Sequence, residues 1–384
     1  MNVTNRPQGL PYWRLSGFYF LFFVTVGILL PYWSLYLKSI GMDARQIGIL
    51  SSLMVFSKVF ISFFWGWLVD HTGRRMQVIR IASLFSAVSF TAVLYVESFW
   101  GLFFVLLAFS LFWSASLPQM EAATLAHLGE STHAYTGIRV WGSIGFILAV
   151  WYLGMLFETI AIGFVPLMVL VSIVIVWLMS LFIPETKIIH HEQVYESLLV
   201  TLFRPKVIAL FIVCFLMLAS HGTYYTFYSI YLEDNGYSST FIGQMWALGV
   251  IAEVILFIFM HKLILLYSLR VLLMLSLLLA ALRWLMTGLF VEYVSVMIIA
   301  QTLHAASFGM YHAVAIQYVH KFFRGRLQGR GQALYSSSSF GAGMAIGSLI
   351  SGYAWDRAGA PACFEGAALA ALLGLIITWL YLRD

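Results

Sequence analysis

Apolar residues fall in runs of about twenty, and short polar stretches separate them. A bilayer core of about 30 Å takes roughly 20 residues of helix. On that measure the pattern predicts twelve spans, near 14–37, 47–69, 76–96, 99–121, 136–156, 163–183, 207–232, 240–261, 268–289, 293–319, 329–353 and 362–382. The runs are too long and too unalternating for barrel strands. Hydrocarbon leaves no unpaired backbone group tolerable, so each run reads as a helix. The first run is too long for a signal-peptide core and lacks a small-residue cleavage site. It therefore reads as the first span.

Composition agrees with this pattern. Hydrophobic residues make up 62% of the chain, charged residues 10%, and the mean hydropathy is +0.92. Soluble domains carry about 25% charge, so the expectation is an all-α, multi-pass integral membrane protein. The net charge of +5 does not point to nucleic acid, because the Lys and Arg residues sit in short loops. Fifteen of them fall on one side of the predicted membrane and three on the other, which sets both termini in the cytoplasm by the positive-inside bias. Cys214 and Cys363 fall near opposite faces, so no disulfide is expected.

The longest polar connection, 184–206, holds His190 and His191 and divides the chain into helical halves 1–183 and 207–384. The histidine pair lacks further ligands at fixed spacing and reads as solvated linker. The halves share a repeat. Tyr36, Leu37, Gly41, Ile47 and Gly48 recur at a constant offset as Tyr231, Leu232, Gly236, Ile242 and Gly243. The same offset relates Lys58 to Glu253. Gly145, Gly154 and Glu158 recur in a similar way as Gly343, Gly352 and Asp356. Parallel repeats of this kind build transporters with a ligand site between the halves near mid-membrane.

Five formal charges lie inside spans: Lys58, Glu121, Arg139, Glu253 and Arg283. A charge at the bilayer centre costs at least about 2.5–3.5 kcal/mol if it faces lipid, so such groups pair or line pathways. Glu121 and Arg139 form one candidate pair, either structural or substrate-facing. Arg283 has the planar fork that suits a carboxylate. Glu253 is the candidate proton carrier, with Arg283 or Lys58 as its switching partner. His221, His304 and His312 could relay protons, since imidazole titrates near neutrality. The spacing of eight sets His304 and His312 about 80° apart on a helix. Trp141 and Tyr224, beside the two arginines, could cradle an aromatic ring. Ser336 to Ser339 and the glycines after them read chiefly as close helix packing. No metal spacing, phosphate loop or nucleophile–base pairing emerges, so neither a cofactor nor enzymatic activity is expected.

The loop Gly66-Trp-Leu-Val-Asp70-His-Thr-Gly73-Arg74-Arg75 resembles the loop signature of the major facilitator superfamily. That resemblance implies a gating role for Gly66, Asp70, Gly73, Arg74 and Arg75, with Gly66 allowing close helix approach. The blocks 27–41, Arg139-Val-Trp-Gly-Ser, His221-Gly-Thr-Tyr-Tyr, 246–253 and Leu282-Arg283-Trp284, with His304 and His312, resemble the phenylpropionate-permease type of that superfamily. This type is related to the lactose permease and nucleoside–proton symporter group. The lactose-permease pattern of an acid, an Arg, an acid, an Arg and a His matches Glu121, Arg139, Glu253, Arg283 and His304, but the acid of its tenth span is missing here. The resemblance implies a monomeric proton symporter in a bacterial inner membrane that imports a small organic acid, such as 3-phenylpropionate, by alternating access. A sugar or nucleoside symporter is the next reading, followed by drug efflux and a non-transporting receptor.

Overall fold

The computed structural model describes residues 10–129, 131, 134–185 and 198–383, except for the side chains of Lys58, Ser62 and Arg326. The helices are α1 (Tyr12–Ser39), α2 (Ala44–Thr72), α3 (Arg75–Thr91), α4 (Phe99–Leu128), α5 (Tyr135–Leu156) and α6 (Val165–Leu181). After a short helix at Leu198–Leu202 come α7 (Pro205–Asp234), α8 (Ser239–Leu266), α9 (Leu269–Leu289) and α10, which runs over Val294–Phe322. The last two predicted spans form one continuous element, Gln328–Tyr381, broken at Gly359. Its two arms are α11 (328–358) and α12 (360–381). Gly359 has φ 86° and is followed two residues on by Pro361, a pair that turns the chain back without ending the helical hydrogen bonding for long. Twelve spans are therefore carried on eleven long apolar helices.

Helix ends follow local chemistry. Asp43 caps α2 in a reciprocal box with Gln46, and Ser98, Ser238 and Ser268 accept from the first turns of α4, α8 and α9. Gly41 and Gly236, repeat equivalents, both adopt positive φ in the turns after α1 and α7. Large apolar side chains such as Phe60, Phe104, Ile258 and Leu265 are exposed on the outer surface. In a soluble protein this would be a liability; here it is the face that meets lipid. Cys214 and Cys363 are separate free thiols.

The helices before and after the 184–206 segment meet along two seams that are copies of each other. In one, α2 crosses α11, and a Cβ on Gly48 would come within 2.8 Å of the Gly352 Cα. In the other, α5 crosses α8, and a Cβ on Gly154 would come within 3.3 Å of the Gly243 Cα. Gly48 and Gly243 are repeat equivalents, as are Gly154 and Gly352. Each seam needs residues without side chains on both helices. Polar contacts gather at this same end. Lys38 Nζ lies 2.7 Å from Glu233 Oε2 and also pairs with Asp234. The Thr240 N–H donates to Glu158 Oε1 at 2.9 Å, and Arg45 sits 4.8 Å over the Tyr353 ring.

Candidate functional site

Three neighbouring helices, α8, α9 and α10, assemble the densest polar cluster in the interior. Arg283 on α9 is 1% exposed. Its guanidinium donates to His304 Nδ1 at 3.0 Å, to Ser307 Oγ at 3.2 Å and to Gln301 Oε1 at 3.1 Å. It lies 4.2 Å from the Tyr224 ring centre and 4.4 Å from that of Trp284. Tyr224 also donates its hydroxyl to Gln301 Oε1 at 3.3 Å. All of these partners are neutral. Among the described residues no carboxylate lies within 4.0 Å of Arg283.

His304 stands between Arg283 and Glu253. A guanidinium only donates, so His304 Nδ1 must accept, and the ring proton belongs on Nε2. Nε2 faces Glu253 Oε2 at 3.6 Å. That is longer than an ordinary hydrogen bond, an electrostatic contact with room to tighten or open. A proton on Nδ1 would place an N–H against a cation. The arginine therefore fixes the tautomer, and the imidazole presents its N–H to the acid. The sequence reading offered Arg283 or Lys58 as the direct partner of Glu253. Instead His304 separates Arg283 from the acid, and the Lys58 side chain lies outside the described residues.

The middle of α10 is wound as π-helix over Ala305–Met310. Its wider turns use i→i+5 bonding and change the register expected from α-helical spacing. Phe308 stacks on His304 with ring centres 5.3 Å apart and planes 6° apart, and on His312 at 6.3 Å and 13°. The two histidines thus form one column with Phe308 between them, not the two directions that an α-helix implies. His312 Nδ1 lies 2.9 Å from the Tyr335 hydroxyl. Gly309 makes space for the acid, since a Cβ there would come within 2.9 Å of Glu253 Cγ. His221 gives its Nδ1 proton to the Met217 carbonyl at 2.8 Å. Its Nε2 is left as a buried acceptor with no hydrogen-bond partner among the described residues.

A second cluster lies on α4 and α5. Arg139 lies 4.1 Å from the Phe23 ring centre and 5.7 Å from that of Tyr19. Tyr135 reaches the Glu121 carboxylate. Glu121 and Arg139 do not come within the 4.0 Å of an ion pair among the described residues, so the direct pair considered from sequence is absent. Trp141 is turned from both clusters, with its indole N–H directed to Tyr12 Oη at 3.4 Å.

In the loop after α2, Gly73 closes the helix in the left-handed region at φ 67°. Gly66 has open space where a Cβ would stand, so the close helix approach expected there is not made. Glu185 accepts from the Met76 and Gln77 N–H groups at 2.9 and 3.3 Å and so caps α3 immediately behind Arg74 and Arg75. Arg74 Nη1 donates to Gln77 Oε1 at 3.3 Å, and Asp70 lies within electrostatic reach of Arg75.

The MFS_1 like family model matches residues 12–365. This chain belongs to that family. Over 357 residues it is 30% identical to the probable 3-phenylpropionic acid transporter of Escherichia coli K12, covering 90% of this chain and 92% of that one. It is 25% identical over 371 residues to the maltose permease of Geobacillus stearothermophilus, covering 94% and 92%. The crystal structure of the nucleoside transporter NupG superposes with a TM-score of 0.84 at 18% identity, over 97% of this chain and all of that one. The MFS_1-like protein is accordingly a multi-pass membrane transporter with a small-molecule substrate, and not an enzyme. Such transporters need no cofactor, and no group of three or more metal-ligating side chains gathers among the described residues.

Of the site residues expected from sequence, this MFS_1-like chain brings together Glu253, Arg283, His304, His312, His221 and Tyr224. Glu121 and Arg139 stand in the second cluster, and Trp141 in neither. Gln301, Ser307, Phe308 and Tyr335 were not singled out from sequence. Gln301 carried a usable signal, as a lone amide in an apolar run. Glu185 and the Lys38–Glu233–Asp234 group carried none, because loop charges read as topology markers.

Proposed function

We propose that this protein is a proton-coupled symporter that imports a small organic acid, with an aromatic carboxylate such as 3-phenylpropionate as the preferred class. One observation carries the reading: a fully buried guanidinium held by neutral partners, with no carboxylate against it. Desolvating a cation is expensive unless a counter-charge arrives, and the fork geometry of arginine suits a carboxylate. The rings of Tyr224 and Trp284 that flank it suit an aromatic neighbour. The likeness to the phenylpropionic acid transporter supports the same class.

In this reading Glu253 carries the proton. Substrate on Arg283 changes the field at His304, whose Nε2–H faces the acid, and the loose His304–Glu253 contact is remade as the proton arrives or leaves. His312 and His221 border this path, and Lys58 is the repeat counterpart of Glu253. Glu121, Arg139, Trp141 and Tyr224 are retained as substrate-side residues of the proposal. Transport then proceeds by rocking of the halves 1–183 and 207–384 about the joined 184–206 segment. The loop of Gly66, Asp70, Gly73, Arg74 and Arg75 controls the cytoplasmic side. With both termini in the cytoplasm of a bacterial inner membrane, the glycine seams close the outer side, and the described state faces inward. A monomer suffices for this cycle.

Purified protein in liposomes is expected to accumulate labelled 3-phenylpropionate when the outside is acidic, and to lose the label when the gradient is collapsed. A sugar or nucleoside that outcompetes the acid would overturn the substrate class. That second reading is favoured by the likenesses to NupG and to the maltose permease.

A further inference from the structure

A cavity between α1, α2, α4, α7 and α11 is walled by aromatic rings, among them Trp33, Phe109, Trp113 and Tyr225. Most hydroxyls around it are already used inside the protein. Ser110 donates to the Leu106 carbonyl at 2.6 Å, Thr226 to Ser348 at 2.8 Å, and Ser348 to the Gly222 carbonyl at 3.3 Å. Two adjacent residues on α1 break this pattern. Trp33 is 3% exposed and Ser34 4%, and both line the cavity. Trp33 Nε1 and Ser34 Oγ are buried without a hydrogen-bond partner among the described residues. Ser34 could have bonded back to its own helix, as Ser110 and Ser220 do, but it does not. An unmet buried donor costs about 1–3 kcal/mol, and two side by side on one wall are an arrangement to be completed by a ligand.

Tyr225 connects this wall to the arginine cluster. It lines the cavity, and its ring centre lies 5.2 Å from that of Tyr224, the ring under the Arg283 guanidinium. We propose that Trp33 Nε1–H and Ser34 Oγ–H form a second polar subsite, which holds an oxygen on the ring of an aromatic acid whose carboxylate is at Arg283. The inference rests on the organic-acid reading and narrows it to acids carrying a hydrogen-bond acceptor at the end remote from the carboxylate. Trp33 supplies only a donor, so an oxygen is favoured over a ring ammonium. Ser34 can also accept, so a hydroxyl satisfies both residues.

The test is a binding titration of purified protein with 3-phenylpropionate and its three ring-hydroxylated isomers. The wild type is expected to bind at least one hydroxylated acid about 5-fold or more tightly than the unsubstituted one, the ratio set by one net hydrogen bond. Trp33→Phe and Ser34→Ala should each reduce that ratio, and the double variant should bring it near one, whatever the absolute affinities. Ser34→Ala removes a single oxygen and guards against a folding defect in Trp33→Phe. Equal binding of all four acids by the wild type, or a ratio untouched in both variants, overturns this inference alone. Binding of none of the four overturns the organic-acid reading and takes the inference with it.

Discussion

Arg283 and Arg139 are both arginines inside spans, yet their surroundings differ in kind. Arg283 is caged by Gln301, Ser307, His304 and two aromatic rings, and the nearby acid reaches it only through an imidazole. Arg139 rests on Phe23 and Tyr19, with Glu121 and its Tyr135 partner close by, so that cluster is balanced in charge. Neutral acceptors can orient a guanidinium without satisfying its charge. A local carboxylate satisfies the charge and leaves less for a ligand. The difference separates a site poised for an anion from one that is already balanced.

The strongest way to break this comparison is to remove the Arg283 cation. Losing one partner of a buried charged pair costs about 2–5 kcal/mol, so Arg283→Gln should weaken organic-acid binding by at least about 30-fold, measured by calorimetric titration. Arg283→Lys should recover only part of it, since the fork is lost. The same Arg283→Gln change removes an unbalanced buried charge. The ligand-free variant is therefore expected to melt no lower than wild type, and a marked drop in melting temperature would make Arg283 a structural residue. Next in size, Glu253→Gln should abolish gradient-driven accumulation while exchange of labelled for unlabelled acid survives within about threefold of wild type, since the change touches the proton and not the anion site. Accumulation that persists would remove Glu253 from coupling.

Arg139→Gln should be milder and should sharpen the contrast. With its charge already balanced locally, its loss is expected to change acid affinity less than about fivefold, on the order of one exposed or compensated interaction. An effect as large as that of Arg283→Gln would erase the distinction between the clusters. The smallest effect belongs to the outer seam. The Thr240 N–H holds the exposed Glu158 carboxyl below its ordinary range. A depressed folded value contributes above the ordinary carboxylate range and is lost only as pH falls through the lowered one. Between pH 8 and 5 this contact should therefore stay intact, and thiol labelling of a Ser39→Cys variant should not vary with pH over that range. Glu158→Gln should raise the labelling rate modestly, by less than about twofold.

Much of the fold could be read from the chain because membranes impose length and polarity on each helix. The spans, the Gly41 and Gly236 turns and the five intramembrane charges all follow from that constraint. The repeat also named the glycines, but not that Gly48 meets Gly352 and Gly154 meets Gly243, since offsets report equivalence and not contact. Two features of the site escaped for physical reasons. The π-helical stretch in α10 carries no marked residue pattern, so α-helical spacing misplaced His312 relative to His304. The role of His304 between Arg283 and Glu253 depends on distances of a few ångströms, which hydropathy and spacing do not encode. Gly66 shows the reverse, a motif residue whose expected close contact is not made in this arrangement.

The central claim is that the Arg283 charge selects the carboxylate. Binding of 3-phenylpropionate and of its neutral isostere 3-phenylpropionamide, compared in wild type and in Arg283→Gln, tests it most directly. Wild type should prefer the acid by at least about 30-fold, and Arg283→Gln should bind both alike. Equal affinity of wild type for the two, or a preference that survives in Arg283→Gln, would contradict it.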